Sequence, residues 1–432
     1  MKQRASTATP TSTSFVPRVP TSLKETGLGL GFLTDLALKI MYFEGYLSGY
    51  ELAERMSLPY PGVVDQVLEF LKREKLCEVK GTGGFAESAY QYAISDKGRA
   101  MAREALARSQ YAGPAPVTLG AYTEAIGRQP LGAVVVHQRT MRQALAHLVI
   151  GEETFARLGP AVNSGRSIFL FGHPGNGKTA IAESIGEMIL GDAMYIPYAI
   201  EVGGQVIRVF DYVNHVLAED EPSSADRTHD PRWVRIQRPV IKTGGELTLE
   251  ALDLVYDETS KYYEAPFQMK ANGGMLLIDD FGRQQVRPRD LLNRWIVPLE
   301  KRVDYLTLHT GRKIEVPFDV LIVFATNLAP RDLVDEAFLR RIRHKIEIKD
   351  PTWDEYREIF RRVCAEKGVP YDEQGLAYLI QEHYLKPNRP RRACHPRDIV
   401  DQLIDIARYL NVPAVLSEDL IDRACDAYFV EI

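Results

Sequence analysis

The stretch Leu170-Phe171-Gly172-His173-Pro174-Gly175-Asn176-Gly177-Lys178-Thr179 constrains the chain more than any other. Three apolar residues, Ile168 to Leu170, lead into it and read as a short buried strand. The apolar, alanine-rich run behind it, Ala180 to Leu190, reads as a helix. The spacing G-x-x-x-x-G-K-[ST] between a strand and a helix has a physical basis. Gly172, Gly175 and Gly177 lack a β-carbon, so the backbone can wrap closely around phosphates and turn its N–H groups inward. The helix adds the positive end of its dipole. Lys178 can reach the β- and γ-phosphates of a nucleotide, and the Thr179 hydroxyl can bind Mg²⁺. His173, Pro174, Asn176 and Ala180 fill the remaining nucleotide-contacting positions.

Global composition adds bounds rather than identity. A chain of 432 residues suggests two to three domains. Hydrophobic content of 45% with 26% charged residues is ordinary for a soluble globular protein. A net charge of −5 gives no global reason to expect nucleic acid or an anionic membrane as partner. Cys77, Cys364, Cys394 and Cys425 are far apart and form no C-x-x-C pair, which points to thiols in a reducing compartment. No apolar run approaches the length of a membrane span, and the start of the chain lacks an apolar signal core. The expectation is a cytoplasmic protein.

In chain order, residues 1–27 are rich in Thr, Ser and Pro and are expected to form a disordered leader. Residues 28–112 then give three helical segments, a hairpin and a further helix. Leu33, Leu36, Ala37, Ile40 and Met41 mark the first helix. Ser48 is placed to cap the second, and Val64, Val67, Leu68 and Leu71 mark the third. Leu76 to Lys80 and Ala89 to Ile94 flank a glycine-rich tip with Gly83 and Gly84. This order, with Tyr90-Gln-Tyr-Ala-Ile-Ser-Asp-Lys-Gly-Arg99 at its end, resembles a winged helix-turn-helix domain. Such domains often read DNA with the third helix. Between Phe32 and Ala105, however, 9 Lys/Arg face 11 Asp/Glu, a balance of −2, and the third helix begins with Asp65 and Gln66. Duplex binding needs phosphate-neutralising cations, so protein docking is favoured while DNA stays an open alternative. The Pro/Gly-rich linker around Tyr111 to Pro116 marks a boundary.

Two further strands carry chemistry. Gly274-Met-Leu-Leu-Ile-Asp-Asp280 reads as a buried strand delivering acids at its C-terminal end, where open α/β sheets bind ligands. Asp279 suits the metal through its water shell, and Asp280 is placed to orient an attacking water. Val320-Leu-Ile-Val-Phe324 is a second apolar strand, ending in Ala325-Thr326-Asn327.

The order of these segments resembles the AAA+ ATPases over about Thr118 to Ile432. The resemblance implies an α/β class fold: a P-loop core with a parallel sheet over 113–350 and a helical lid over 351–432. It implies ATP and Mg²⁺ as ligands, Thr179 and Asp279 on the metal side, and Asp280 and Asn327 at the attacking water. Leu333-Val-Asp-Glu-Ala-Phe-Leu-Arg-Arg-Ile-Arg343 resembles the segment that presents an arginine finger to a neighbouring subunit, with Arg340 and Arg341 as alternatives. Arg397, next to the helix-starting Pro396, is the expected lid cation, with Arg391 and Arg392 in competition. A homo-oligomer of six subunits acting on a protein client follows from the same resemblance. Different segments resemble different subfamilies, so the subfamily stays open.

Residues 194–272 read as a long polar insertion. A hairpin is expected over Ala199–Phe210, turning at Gly203-Gly204, with an acidic stretch over Glu219–Pro231. Tyr262, Tyr263 and Phe267 are possible pore aromatics, but their spacing favours a core role.

Overall fold

A computed structural model describes residues 15–82, 89–133, 135–191, 193–218, 229–330 and 339–429. The expectations for residues 1–14, for the hairpin tip with Gly83 and Gly84, for 219–228 and for Leu333 to Phe338 lie outside the described residues.

The N-terminal unit begins with α1 (Leu30–Glu44), which buries Leu33, Leu36, Ala37, Ile40 and Met41 and stops at Gly45, φ 82°. After β1 (Tyr46–Ser48), Ser48 caps α2 (Gly49–Met56) in a reciprocal capping box with Glu51. Then come α3 (Asp65–Arg73), β2 (Cys77–Thr82), β3 (Tyr90–Ile94) and α4 (Asp96–Arg108). The three strands form an antiparallel sheet in the order β1-β3-β2.

Residues 15–27, expected as part of a disordered leader, are held in place. Phe15 packs edge-on against Trp233 at 6.1 Å, the Asp230 amide donates to Pro17 O at 3.0 Å, and Arg232 Nη1 donates to Thr26 O at 2.9 Å. Composition understated this segment because its anchors belong to a stretch about 200 residues away, which composition does not register.

Past the linker come β4 (Val117–Thr118), α5 (Leu119–Arg128), α6 (Gln138–Ala144) and α7 (Glu152–Asn163). The P-loop joins β5 (Ser167–Phe171) to α8 (Lys178–Leu190). The insertion supplies β6 (Ala193–Pro197), β7 (Ala199–Val202), β8 (Gln205–Arg208) and β9 (Trp233–Gln237), with β7 and β8 forming the expected hairpin. β10 (Val240–Thr243) corrects the insertion's extent: it pairs in parallel with β13 (Met275–Ile278) and belongs to the main sheet. Four residues with a lysine among them carry too weak a period to announce a core strand. Between them lie β11 (Val255–Tyr256), β12 (Tyr263–Glu264) and α9 (Phe267–Lys270). Tyr263 is buried and Tyr262 packs edge-on against Tyr111, so both serve the core.

After α10 (Pro288–Arg294) and α11 (Ile296–Lys301), β14 (Val303–Thr307) and β15 (Lys313–Pro317) form a hairpin. β16 (Leu321–Thr326) and β17 (His344–Glu347) complete the main sheet. Its order is β10-β13-β16-β5-β17, every pair parallel. Alternate residues serve opposite faces, as a sheet covered on both sides requires. Ile168 and Leu170 pack with Ile181 and Ile185 of α8, while Phe169 packs with Phe281, Trp295 and Phe324. Burying each such side chain contributes about 1.5–3 kcal/mol.

A second sheet, β11-β12-β8-β7-β4, joins the insertion to the linker. The linker is no loose boundary, since Ala115 N donates to Met56 O at 2.7 Å and Gln110 N to Ser260 O at 2.8 Å. Ala199 and Val206 of the insertion hairpin sit in the same hydrophobic core as α1 to α3.

The C-terminal segment consists of α12 (Trp353–Lys367), α13 (Glu373–Ile380), α14 (His395–Leu410) and α15 (Glu418–Tyr428) around Tyr356, Phe360, Leu379, Leu403 and Ile421. Among the described residues the four cysteines are free, and no helix is long and apolar enough to cross a membrane.

Candidate functional site

The P-loop and the acid pair both lie at the carboxyl ends of parallel strands, where β5 runs between β16 and β17. This is the crevice in which open α/β sheets hold ligands. Two glycines explain the loop's close packing. A β-carbon on Gly172 would stand 2.3 Å from Ile348 O, and one on Gly175 2.4 Å from Cys394 Sγ. Gly177 (φ 80°) caps α8, and a β-carbon there would meet nothing within 4 Å. His173, Pro174 and Gly175 form the exposed crest, while Ala180 lies in the first turn of α8.

Lys178 is 7% exposed, its Nζ donating to Gly172 O at 3.0 Å and His173 O at 2.8 Å. Burial lowers its pKa, opposed by the charges of Asp280 and Asp279 and assisted by Arg392. The lysine therefore feels both acids and the C-terminal segment.

Thr179 Oγ1 donates to Asp279 Oδ1 at 2.9 Å, and the Asp280 amide donates to the same oxygen at 3.0 Å. Asp280 has φ 48°, a left-handed conformation that Asp tolerates better than most residues. The turn is braced by Gln284, which donates to Asp279 O at 2.9 Å, and by Thr326 Oγ1, which donates to Phe281 O at 2.6 Å. Asn327 Nδ2 lies 3.4 Å from Asp280 Oδ1, so the two expected water-positioning groups are adjacent. Lys242 Nζ stands 3.6 Å from Asp279 Oδ2 and donates to Glu183 at 2.7 Å. The hydrogen bond to Glu183 raises the Lys242 pKa.

The C-terminal segment reaches the loop through residues 392–394. Cys394 N donates to Gly175 O at 2.8 Å and Ala393 N to Asn176 Oδ1 at 3.2 Å. Arg392 pairs with Asp350, which also accepts from Asn176 Nδ2 at 2.7 Å. Burial would raise the Asp350 pKa, but the hydrogen bonds from Asn176 and Arg392 outweigh it and hold it low. Arg397, expected at the nucleotide, is exposed and lies 3.7 Å from Asp398.

Arg340 and Arg341 are distinguished by their surroundings. Arg340 is exposed, whereas Arg341 Nε donates to Glu300 of the same chain at 2.6 Å. Sequence reasoning missed Lys242, Glu183, Gln284 and Asp350. Only Gln284, close behind the acid pair, had a local signal.

The cradle suits a nucleotide's phosphates: glycines at close approach, a buried ammonium in the concavity and a helix N-terminus behind it. Among the described residues no group of three or more His, Cys, Asp or Glu is arranged to hold a metal ion. Thr179 Oγ1 and Asp279 Oδ1, 2.9 Å apart, are oxygen donors of the kind that suits a hard divalent cation.

Residues 352–427 match the model of a family described as a domain of unknown function, DUF8689. No curated protein matches. Among solved structures, NtrX from Brucella abortus in complex with ADP is 13% identical with TM-score 0.39, covering 63% of this chain and 54% of its own. The chain thus spans little more than half the length of that relative. A RuvB mutant of Thermotoga maritima is 12% identical with TM-score 0.37, covering 70% of this chain and 74% of its own. Likeness this loose carries no functional weight.

Proposed function

We propose that the chain is a Mg²⁺-dependent ATPase of the AAA+ type, with a winged-helix unit over 28–112, a core over 113–350 and a lid over 351–432. It works as a homo-oligomer, of six subunits as the resemblance implies, and uses hydrolysis to remodel a protein partner. The observation that carries this reading is the convergence of Lys178, Thr179, Asp279, Asp280, Asn327 and Arg392 around the P-loop crevice.

Bound ATP with Mg²⁺ would supply the phosphoanhydride and a Lewis acid that neutralises charge on its oxygens. Lys178 exchanges its two loop carbonyls for phosphate oxygens. Thr179 and Asp279 would hold the metal side. Asp280, with Asn327 beside it, orients the water and accepts its proton. Arg392 exchanges Asp350 for phosphate, which carries the lid with it. Arg340 is the better candidate to reach a neighbouring subunit, because Arg341 is already engaged with Glu300.

Surface charge supports a protein partner over DNA. Asp65 is spent on the Gly62 and Gln66 amides, Gln66 and Glu69 are exposed on α3, and Lys80 of β2 is paired with Glu78 at 2.7 Å. Phosphate release by the purified chain tests the enzymatic reading: Mg²⁺-dependent turnover is expected, and its absence would sink it. Fluorescence anisotropy of the full chain with random duplexes tests the partner. No binding tighter than roughly 10⁻⁴ M is expected at physiological salt. Submicromolar binding with a clear salt slope would favour a DNA-associated regulator or loader instead.

A further inference from the structure

The two carboxylate oxygens of Asp279 have different neighbours. Oδ1 accepts from the Thr179 hydroxyl at 2.9 Å, while Oδ2 faces the Lys242 ammonium at 3.6 Å. Lys242 is fixed relative to the acid by its strand. It lies opposite Leu277 in the β10–β13 pairing, and Asp279 N donates to Thr243 O at 2.8 Å. On its other side the ammonium donates to Glu183 at 2.7 Å. Glu183 follows Thr179 by one turn of α8. Thr179, Asp279, Lys242 and Glu183 therefore form a chain of three polar contacts whose two ends lie one turn apart on α8.

Neither the phosphate cradle nor the acid pair requires a lysine at 242. A cation this close to a carboxylate that must receive a divalent ion competes with that ion. Its side chain is 47% exposed, so solvent weakens the competition without abolishing it. Glu183 offers the ammonium a second seat, already the nearer one.

We infer that Lys242, shared between Glu183 and Asp279, is a resident counter-ion that withdraws from Asp279 and stays with Glu183 alone as divalent metal loads, so that this pair sets the metal concentration at which nucleotide is held. The inference rests on the nucleotide-binding reading above. Lys242 is a positioning residue here, acting through Asp279, and Glu183 acts through Lys242.

The test uses the full chain and a fluorescent ATP analogue, with binding followed by anisotropy as Mg²⁺ is raised. Lys242→Met should lower the half-saturating Mg²⁺ concentration by about three- to tenfold. Glu183→Gln should raise it by a similar factor, because the ammonium then has only Asp279. Lys242→Arg, which keeps the charge, should stay within about twofold. A purely structural role would not move the two neutralising variants in opposite directions. An unchanged or raised midpoint in Lys242→Met overturns the inference, as does a shift of both variants the same way. If wild type binds the analogue and Lys178→Ala does not, the nucleotide reading stands whatever Lys242 does. A wild type that binds no nucleotide ends both.

Discussion

Asn176 donates from Nδ2 to Asp350 Oδ1 at 2.7 Å, although 174 positions separate the two residues. The Asn176 side-chain carbonyl meanwhile accepts from Ala393 N at 3.2 Å. One amide on the phosphate loop thus touches both the residue that pairs with Arg392 and the backbone that leads into α14. These contacts tie the loop directly to the C-terminal helices.

Arg392→Ala should weaken ATP binding by about 10- to 100-fold, the worth of a hydrogen bond to a charged group. Arg397→Ala should change it by less than about twofold, as an exposed substitution does. Equilibrium titration of both variants decides the matter; the reverse ranking would restore Arg397 as the lid cation.

Lys178→Ala should abolish tight ATP binding, whereas Asp280→Asn should bind ATP and stall. Binding isotherms and single-turnover phosphate release separate the two. Wild-type turnover in Asp280→Asn would remove Asp280 from the water.

ATPase rate per subunit should rise steeply with protein concentration if a finger arrives in trans, a contribution of about 10³–10⁵ in related phosphoryl transfer. Arg340→Ala should flatten that dependence with ATP affinity largely intact. Arg341→Ala should retain it and instead lose the ion pair with Glu300. A dilute monomer with full activity would contradict the scheme.

Arg232 is buried against Asp230 at 2.8 Å and also donates to Thr26 O and Pro116 O. Arg232→Ala leaves a buried carboxylate without its cation and should cost about 3–5 kcal/mol. The double variant Asp230→Asn, Arg232→Met should recover much of this in urea denaturation. Equal losses in both would mean that the charge pairing is not what matters.

His395 hydrogen-bonds Tyr384 at 2.9 Å, and burial together with the nearby charge of Arg392 pulls its pKa down to about 4. The unfolded chain binds that proton near pH 6.5, the folded chain only near pH 4, so stability falls as pH drops through this window. Thermal melts from pH 7 to pH 5 should show a smaller loss in His395→Gln than in wild type. Parallel curves would exclude His395 as a source of acid sensitivity.

The loop between β5 and α8, the strand that ends before Asp279 and the strand that ends before Asn327 were legible because each is a local pattern. The cap at Ser48 is local too. What escaped was assembled at long range. Phe15 meets Trp233, Asn176 meets Asp350, and Lys242 meets Glu183 and Asp279 only after the sheet forms. Trp233 to Lys242 reads as extended, but that Val240–Thr243 joins the main sheet was not legible, because its partner Met275–Ile278 is remote in sequence. Arg392 was one of three competing arginines in the sequence, and its pairing with Asp350 is a tertiary contact that no local pattern announces.

Ala199 and Val206, lodged among the side chains of α1 to α3, bear on how this chain can be rearranged. Cutting after residue 112 would slice through one continuous apolar interior and expose both halves. A graft that transplants the front of this protein onto another scaffold must carry the β7–β8 hairpin with it, or leave an unfilled hole. By the same token, the first 112 residues and the insertion hairpin are joined as at a weld rather than a hinge, because one apolar interior spans both.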